Sequence, residues 1–216
     1  MLVFIRQFLK DFHHTGAVLP SSPRLAQTIT RAVRERGVNP RKPRRILEVG
    51  PGTGPFTKCL LAALRPGDEL HIVEINPAFS RRLEEKFLAP FRAANPDIPV
   101  TLHCGPIEAV PLEGTFDHII CGLPFNNFPP RLVRSIFRRL IDLLAEGGEL
   151  SYFEYAGVRV MKGPLVGTEG RRKLKQIGAT GKVLSRRHQG QRELVLGNMP
   201  PAVAVRLVRD RAASGA

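Results

Sequence analysis

The 216-residue chain lacks any apolar run that approaches the roughly 20 residues a helix needs to span a bilayer. Its first five residues are apolar, but Arg6 and Lys10 interrupt the longer apolar core that a signal peptide would need. The sequence therefore predicts neither a membrane-spanning helix nor a cleaved leader. It contains no internal repeat, and its length favours one domain that buries a sizeable core.

Cysteine is also scarce, and the three cysteines present, Cys59, Cys104 and Cys121, lie far apart without the spacing of metal ligands. We expect reduced thiols in or near the core of a cytosolic protein. The adjacent His13 and His14 have no matching cluster of cysteines or histidines. The sequence therefore predicts no metal site.

Acidic residues are outnumbered, with 19 Asp and Glu against 33 Lys and Arg, which gives a formal net charge of +14. Residues 158–192 are the most cationic part of the chain, and Glu169 is their one acid. A charge this far from zero favours an anionic partner, either nucleic acid or an anionic membrane surface. Charge alone does not choose between the two.

Three glycines at alternate positions, Gly50, Gly52 and Gly54, are the feature around which the chain is organised. They follow a short apolar run at 46–49 and precede an apolar helical pattern at 56–64. This order of strand, tight turn and helix is the first unit of an open α/β sheet. Glycines at the carboxyl end of a strand let a ligand lie against the backbone where a Cβ would collide.

The glycine spacing excludes two common phosphate-binding turns. It is neither the G-x-G-x-x-G of dinucleotide folds nor a phosphate loop, because no Lys-Ser/Thr pair follows. Pro55, in the first turn of the helix, has no N–H to offer a phosphate. Glu48 could accept a hydrogen bond from a cationic amino group, and Glu74, near the end of the next apolar run, could hold ribose hydroxyls. The alternative is an ordinary glycine-rich turn with a solvated Glu74, but the loop, the acid and their spacing agree on a nucleoside joined to an amino acid.

At these residues the sequence resembles the class I methyltransferases that use S-adenosylmethionine (SAM) and release S-adenosylhomocysteine. The resemblance implies an α/β fold, a single Rossmann-like domain with a seven-stranded, mostly parallel sheet over residues 23–210, and a disordered tail at 211–216. It implies a SAM site whose members are Ser22, Glu48, Gly50, Gly52, Thr53, Gly54, Glu74, Ile75, Ile107 and Gly122. Ile107 would pack on the adenine, and the adenine amino group would be held by the backbone or by Glu108.

Further elements follow from local patterns. Ser22 as N-cap and Pro23 at N1 predict a helix to about residue 36, and Pro77 predicts a helix to about residue 91. Strands are predicted near 100–103, at 116–121 and at 149–155. A helix from Pro129 or Pro130 should run to about residue 145, stopped by Gly147-Gly148, and residues 182–187 and 192–196 should form a hairpin.

Residues 1–22 are predicted to form an amphipathic helix and loop. Phe4, Phe8 and Phe12 recur every four residues, and Arg6 and Lys10 lie on the opposite face. Such a helix either packs on the domain or lies at a membrane interface, with its aromatic face in lipid.

Several segments together resemble the bacterial phospholipid N-methyltransferases, which methylate phosphatidylethanolamine. The matching segments are residues 8–9, 16–23, 48–54 with Thr57, 74–77, 122–124 with 127–130, and Asn198 with 200–202. The resemblance implies a SAM-dependent N-methyltransferase acting on the amine headgroup of a membrane lipid, either phosphatidylethanolamine or ornithine lipid, with the trimethylated lipid as one end product. It also implies a cytoplasmic monomer in peripheral contact with the anionic inner membrane.

The chain also resembles rRNA adenine dimethyltransferases, which carry Asn-Leu-Pro-Phe/Tyr after the fourth strand. Here Gly122 stands where that family has the Asn that engages the amino group to be methylated. This departure weakens the rRNA interpretation and leaves nucleic acid as the alternative partner. A protein with the SAM fold that binds acidic surfaces without catalysis is a third hypothesis.

The lipid resemblance implies roles for two further groups of residues. Glu154, Tyr155 and His14 are candidates to orient the amine or relay its proton. The lipid and its headgroup would be contacted by Phe4, Phe8, Leu123, Phe125, Asn127, Lys162, Arg171, Arg172 and Lys173.

Overall fold

A computed structural model describes residues 21–35, 42–156, 176, 179, 181, 183 and 185–210 of the chain. The predicted N-terminal helix, with Phe4, Phe8 and His14, lies outside the described residues. So do the predicted lipid contacts Lys162, Arg171, Arg172 and Lys173, and the tail at 211–216.

The described residues form one seven-stranded sheet with the order β3-β2-β1-β4-β5-β7-β6. The strands are β1 (Arg45–Val49), β2 (Glu69–Glu74), β3 (Val100–Cys104), β4 (Phe116–Cys121), β5 (Leu144–Tyr155), β6 (Gln191–Val195) and β7 (Ala202–Val208). β1 to β5 pair in parallel, and β7 runs antiparallel to both β5 and β6. The predicted Rossmann-like fold with a seven-stranded, mostly parallel sheet is confirmed.

The helices connect these strands and cover the sheet. They are α1 (Pro23–Ile29), α2 (Arg31–Arg34), α3 (Pro55–Leu61), α4 (Pro77–Leu83), a π-helical turn (Glu84–Leu88), α5 (Ala89–Ala94) and α6 (Pro130–Leu143), with a 3₁₀ turn at Phe125–Asn127. None of the helices that the structure describes combines the length and the apolar character needed to cross a bilayer.

Two hydrophobic clusters lie on opposite faces of the sheet. One packs α6 against β1, β4, β5 and β7, and includes Phe125, Phe137 and Tyr152. The other packs α1, α2 and α3 against the remaining face, and includes Phe56 and Phe153. Because side chains alternate along a strand, neighbouring residues of β5 belong to different faces.

Local structure departs from the sequence predictions at several points. The first helix is interrupted at Thr30, whose hydroxyl donates to the Ala26 carbonyl 2.7 Å away and so competes with the helical hydrogen-bond pattern. α6 ends at Leu143, two residues before the predicted end at about residue 145, because Leu144 already has an extended backbone that pairs with β4.

The predicted hairpin between 182–187 and 192–196 is wrong. Residues 183 and 185–187 are helical, and β6 pairs with β7 instead. The expectation that all three cysteines lie in or near the core fails for Cys104, which is exposed at the end of β3. Cys121 is buried, and burial raises the pKa of its thiol to about 12.

Candidate functional site

Three glycine N–H groups hold the carboxyl ends of the central strands together. Gly50 donates to Val73 of β2, Gly105 donates to Glu74, and Gly122 donates to Val49 of β1, at 2.8 to 3.0 Å. The residues predicted to bind the cofactor therefore follow strands whose ends are fixed to one another. This edge is where open α/β sheets bind their ligands.

Gly50, Gly52 and Gly54 all have positive φ, at 69°, 58° and 88°, which makes glycine the favoured residue at each. A Cβ at Gly50 would collide with the Leu123 side chain, and one at Gly54 would lie 2.7 Å from the Phe87 ring. A Cβ at Gly52 would meet no atom within 4 Å. Protein side chains therefore pack against the loop at Gly50 and Gly54, whereas the space beside Gly52 is open. A ligand that lies against the backbone of the loop requires such a space. Thr53 lies in the same turn and is half-buried.

Glu74 organises the loop from the end of β2. Its Oε2 accepts from the Gly52 N–H at 3.0 Å, and its Oε1 accepts from the Asn76 N–H at 2.8 Å. Burial raises the pKa of this carboxyl, although the N–H groups of Asn76, Gly52 and Ile75 oppose the rise. Each oxygen keeps a lone pair, so Glu74 can still accept from a diol, while Asn76 caps α4 through the Ala78 N–H.

Glu48 is fully buried, and neither of its carboxyl oxygens has a hydrogen-bond partner among the described residues. Burial raises its pKa from 4.5 to about 8, Thr57 lowers it in part without the geometry of a full hydrogen bond, and the charge of Glu74 raises it further. A buried acid without a partner is costly unless a ligand supplies one. The cationic amino group of an amino-acid ligand would satisfy it, and therefore the site fits SAM.

The turn after β3 lies at the same edge of the sheet. Ile107 is buried, and Glu108 has one buried oxygen, Oε1, without a partner among the described residues. An acceptor in this position suits an adenine amino group, which is one of the two alternatives that the resemblance implies. No other buried side-chain acceptor in the described part of this turn lacks a partner.

The loop after β4 contains several of the residues predicted to bind the substrate, and these residues differ in burial. Gly122 permits the close approach of β1 and β4, because a Cβ there would lie 2.5 Å from the Gly50 carbonyl oxygen. Leu123 and Asn127 are half-buried at this edge. The prediction that Phe125 contacts the lipid is wrong. Its ring is 3% exposed and stacks on Phe137 with centroids 4.4 Å apart. Phe125 therefore supports the wall of the site from the core and is not available to a lipid.

Glu154 and Tyr155 do not act as a pair, because they lie on opposite faces of β5. Tyr155 packs edge-on against Phe153 on the α1 face, and burial raises the pKa of its hydroxyl. On the other face, Glu154 forms an ion pair with Arg192 of β6 at 2.7 Å, and Tyr152 donates a long 3.5 Å bond to its Oε1. Sequence reasoning missed Arg192, since no pattern links residues 38 positions apart.

The hydroxyl and the backbone N–H of Ser22 both form hydrogen bonds at the start of α1. Its hydroxyl accepts from the Leu25 N–H at 3.1 Å, and its own N–H donates to Asn198 Oδ1 at 2.9 Å. Asn198 also donates to the Pro200 carbonyl, so it ties the connection at 196–201, between β6 and β7, to the start of α1. A cofactor role for Ser22 stays a prediction. Within the described parts of the chain, no group of three or more Cys, His, Asp or Glu could hold a metal ion.

Comparisons with known proteins agree with this geometry. A family model for a methyltransferase domain matches residues 46–148. The chain is 30% identical over 148 residues to the ornithine lipid N-methyltransferase of Singulisphaera acidiphila, covering 68% of this chain and 73% of that protein. It is 34% identical over 111 residues to the ribosomal RNA small subunit methyltransferase A of Chromobacterium violaceum, but spans 38% of that protein's length.

Solved structures share the fold. An O-methyltransferase from Bacillus cereus in complex with S-adenosylhomocysteine superposes with a TM-score of 0.61 at 14% identity, covering 94% of this chain and 90% of that one. The magnesium protoporphyrin IX methyltransferase of Synechocystis, with the same product bound, gives 0.61 at 18% identity over 87% of this chain and 84% of that one. The protein therefore belongs to the class I SAM-dependent methyltransferases, and SAM is its cofactor.

Proposed function

We propose that this methyltransferase transfers methyl groups from SAM to the amine headgroup of a membrane lipid, either ornithine lipid or phosphatidylethanolamine. The observation that carries the proposal is the similarity to an ornithine lipid N-methyltransferase over 73% of that protein's length. The similarity to rRNA methyltransferases spans 38% and 32% of theirs.

The surface beside the site favours a lipid. β6 ends at the same edge of the sheet as β5, and its exposed face continues into the connection at 196–201. Leu194, Leu196 and Met199 are 56%, 69% and 76% exposed there. Apolar side chains next to the partly exposed Arg192 suit the boundary between headgroups and acyl chains. The enzyme would work as a monomer on the cytoplasmic face of the inner membrane, in peripheral contact with it.

An amine substrate must reach the methyl group with its nitrogen lone pair free. Bound SAM supplies an electrophilic methyl group on a sulfonium. The acceptor must present a lone pair, and an alkylammonium with a pKa of about 10 holds that pair as a proton at neutral pH. Freeing it at pH 7 costs about 4 kcal/mol. The chain must therefore desolvate the headgroup, orient it and accept its proton.

The rRNA hypothesis meets a steric obstacle at Gly122. A side chain in this position, such as the Asn of the rRNA enzymes, would place its Cβ 2.5 Å from the Gly50 carbonyl oxygen. The backbone therefore leaves no room at this position for the Asn with which that family engages the adenine amino group.

The deciding experiment offers three acceptors to the purified protein with methyl-labelled SAM. These are anionic vesicles containing ornithine lipid, the same vesicles containing phosphatidylethanolamine, and small-subunit rRNA. We expect label in at least one lipid and none in RNA. Label in RNA alone would overturn the proposal, and SAM binding without any turnover would favour a non-catalytic protein.

A further inference from the structure

The ion pair between Arg192 and Glu154 lies beside the site. In the register of β4 with β5, Cys121 faces Tyr152. Cys121 is the last residue of β4, and Glu154 lies two residues beyond Tyr152 along β5, where β4 has already ended. Arg192 reaches Glu154 across β7, since the strand register aligns Tyr152, Val205 and Arg192 in one row. The pair thus lies next to the carboxyl end of β4.

Both members of the pair remain accessible. The side chains of Arg192 and Glu154 are 41% and 25% exposed. Arg192 bonds Oε2, while among the described residues Oε1 has only the long contact with the Tyr152 hydroxyl. An exposed ion pair stabilises a fold by about 1 kcal/mol or less, so a ligand of suitable charge can replace either partner at little cost.

The described surroundings of Glu154 contain few other charges. Val203 and Val205 of β7 carry none, and neither does the loop at 122–128. The nearest titratable neighbour is Tyr152, and burial raises the pKa of its hydroxyl, so it stays neutral. On the far side lies the backbone of Gly181, where a Cβ would be 2.8 Å from Oε1. Arg192 is thus the one cation that the described structure shows paired with this carboxylate.

We propose that Arg192 and Glu154 together form the headgroup site for a zwitterionic amine lipid. In the absence of substrate the two neutralise each other. An incoming headgroup that carries both an ammonium and an acidic group replaces this ion pair with two new ones. The acidic group, a carboxylate or a phosphate, binds Arg192, and the ammonium binds Glu154. This inference rests on the proposed lipid function and adds to it the chemistry by which the headgroup is recognised.

The exchange also prepares the proton transfer. When the ammonium takes the place of Arg192 beside Glu154, the substrate excludes water from the carboxylate, and loss of water raises the proton affinity of a carboxylate. One proton then passes from the ammonium nitrogen to Glu154 and leaves the nitrogen lone pair free. The nitrogen lone pair would then bond the methyl carbon as the carbon–sulfur bond of SAM breaks, so that the positive charge moves to nitrogen and S-adenosylhomocysteine leaves as a neutral thioether. Glu154 would return its proton to water when the product leaves.

The test measures kcat and KM for three vesicle-borne amines: ornithine lipid, phosphatidylethanolamine and a long-chain alkylamine without an acidic group. For Arg192→Gln we expect KM to rise about tenfold or more for the zwitterionic lipids, as for a lost charge-assisted hydrogen bond. KM for the alkylamine should not rise, because this substrate has no group for Arg192 to bind and in the variant it no longer competes with Arg192 for Glu154. The lipid with the larger rise reveals whether Arg192 prefers a carboxylate or a phosphate, and Arg192→Lys should recover part of the loss.

For Glu154→Gln we expect kcat to fall about 100-fold at neutral pH, within the usual range for loss of a general base. The loss should shrink as the pH approaches that at which the free amine deprotonates unaided, about 10. A merely structural ion pair would show neither this pH profile nor the dependence on an acidic group in the substrate.

The matched control is Arg31→Gln. Arg31 pairs at 2.8 Å with Glu193, the next residue of β6, on the opposite face of the sheet and with similar exposure. Melting temperatures and SAM affinity by calorimetry establish that each variant is folded. If the wild type methylates lipids but Arg192→Gln and Glu154→Gln match this control, the headgroup site is rejected. If the wild type methylates no lipid, the proposed function itself fails.

Discussion

The cofactor end of the sheet, at the carboxyl ends of β1, β2 and β4, differs from its lateral edge, formed by β5, β7 and β6. At the cofactor end the acids Glu48 and Glu74 are buried, and backbone N–H groups hold the loop around them. At the lateral edge the charges are partly exposed and pair with one another, as Arg192 does with Glu154 and Arg31 with Glu193.

This difference corresponds to the two tasks that the proposed function requires. A cofactor of fixed shape is best met by a preorganised cradle, since groups held by the backbone need no reorganisation when it binds. A lipid headgroup arrives from a fluid surface, and side-chain pairs that exchange partners can accept it. Substitutions should therefore act through the fold or the SAM affinity at the first region, and through the substrate at the second.

The largest effect is expected from Gly122→Asn. Its Cβ would lie 2.5 Å from the Gly50 carbonyl oxygen, and neither β1 nor β4 can move without breaking the bond from the Gly122 N–H to Val49. We expect a loss of stability at the upper end of the 1–3 kcal/mol typical of overpacking, about 3 kcal/mol. Denaturant unfolding measures it. A fully stable Asn variant would contradict the close packing of the strand ends and reopen the rRNA hypothesis.

The second largest effect is expected from Gly52→Ala, which should weaken SAM binding more than it destabilises the fold. The added methyl meets no protein atom within 4 Å, so the cost to stability is only that of φ 58° for a residue with a Cβ, about 1 kcal/mol. The same methyl occupies the space assigned to SAM. We expect SAM affinity to fall about 100-fold by calorimetry, a loss of about 2.7 kcal/mol. Unaltered affinity would mean that the cofactor lies elsewhere.

The sequence predicted the local structure at the cofactor end far better than that at the lateral edge, because the first depends on short stretches of chain and the second on long-range contacts. Gly50, Gly52, Gly54 and Glu74 are set by local chemistry, because positive φ, a missing Cβ and the alternation of β2 can all be derived from short stretches. The pairing of β6 with β7 and of Glu154 with Arg192 depends on contacts between distant residues. Phe125 was misassigned because the sequence marks it as aromatic but not as buried.

The third substitution, Glu48→Gln, tests the buried acid through pH. Burial raises the pKa of Glu48 from 4.5 to about 8 in the fold, so between these values the folded protein holds a proton that the unfolded chain releases. Stability from this group is therefore full below pH 4.5 and is lost as pH rises to about 8. Gln cannot titrate, and thus thermal melts of the variant should decline less between pH 5 and 8.

Ligand binding provides an independent check on Glu48. The amino group of SAM favours the ionised carboxyl, so binding below pH 8 should release protons in the wild type and fewer in the variant. Calorimetry in two buffers of different ionisation enthalpy counts them. We expect SAM affinity to fall about tenfold in Glu48→Gln, as for one lost charge-assisted hydrogen bond. Equal proton release by both proteins would show that Glu48 does not face the ligand.

The smallest effect is expected at the lateral edge, from Leu196→Ser combined with Met199→Ser. Both side chains are largely exposed, at 69% and 76%, so stability should change by no more than about 0.5 kcal/mol for each. If this connection dips into the bilayer, affinity for anionic vesicles in sedimentation should fall about tenfold, because each side chain forfeits part of its transfer energy. Activity on detergent-dispersed lipid should persist, since the headgroup pair is untouched. Unchanged sedimentation with lost activity in detergent would place these side chains in the substrate site instead of at the membrane.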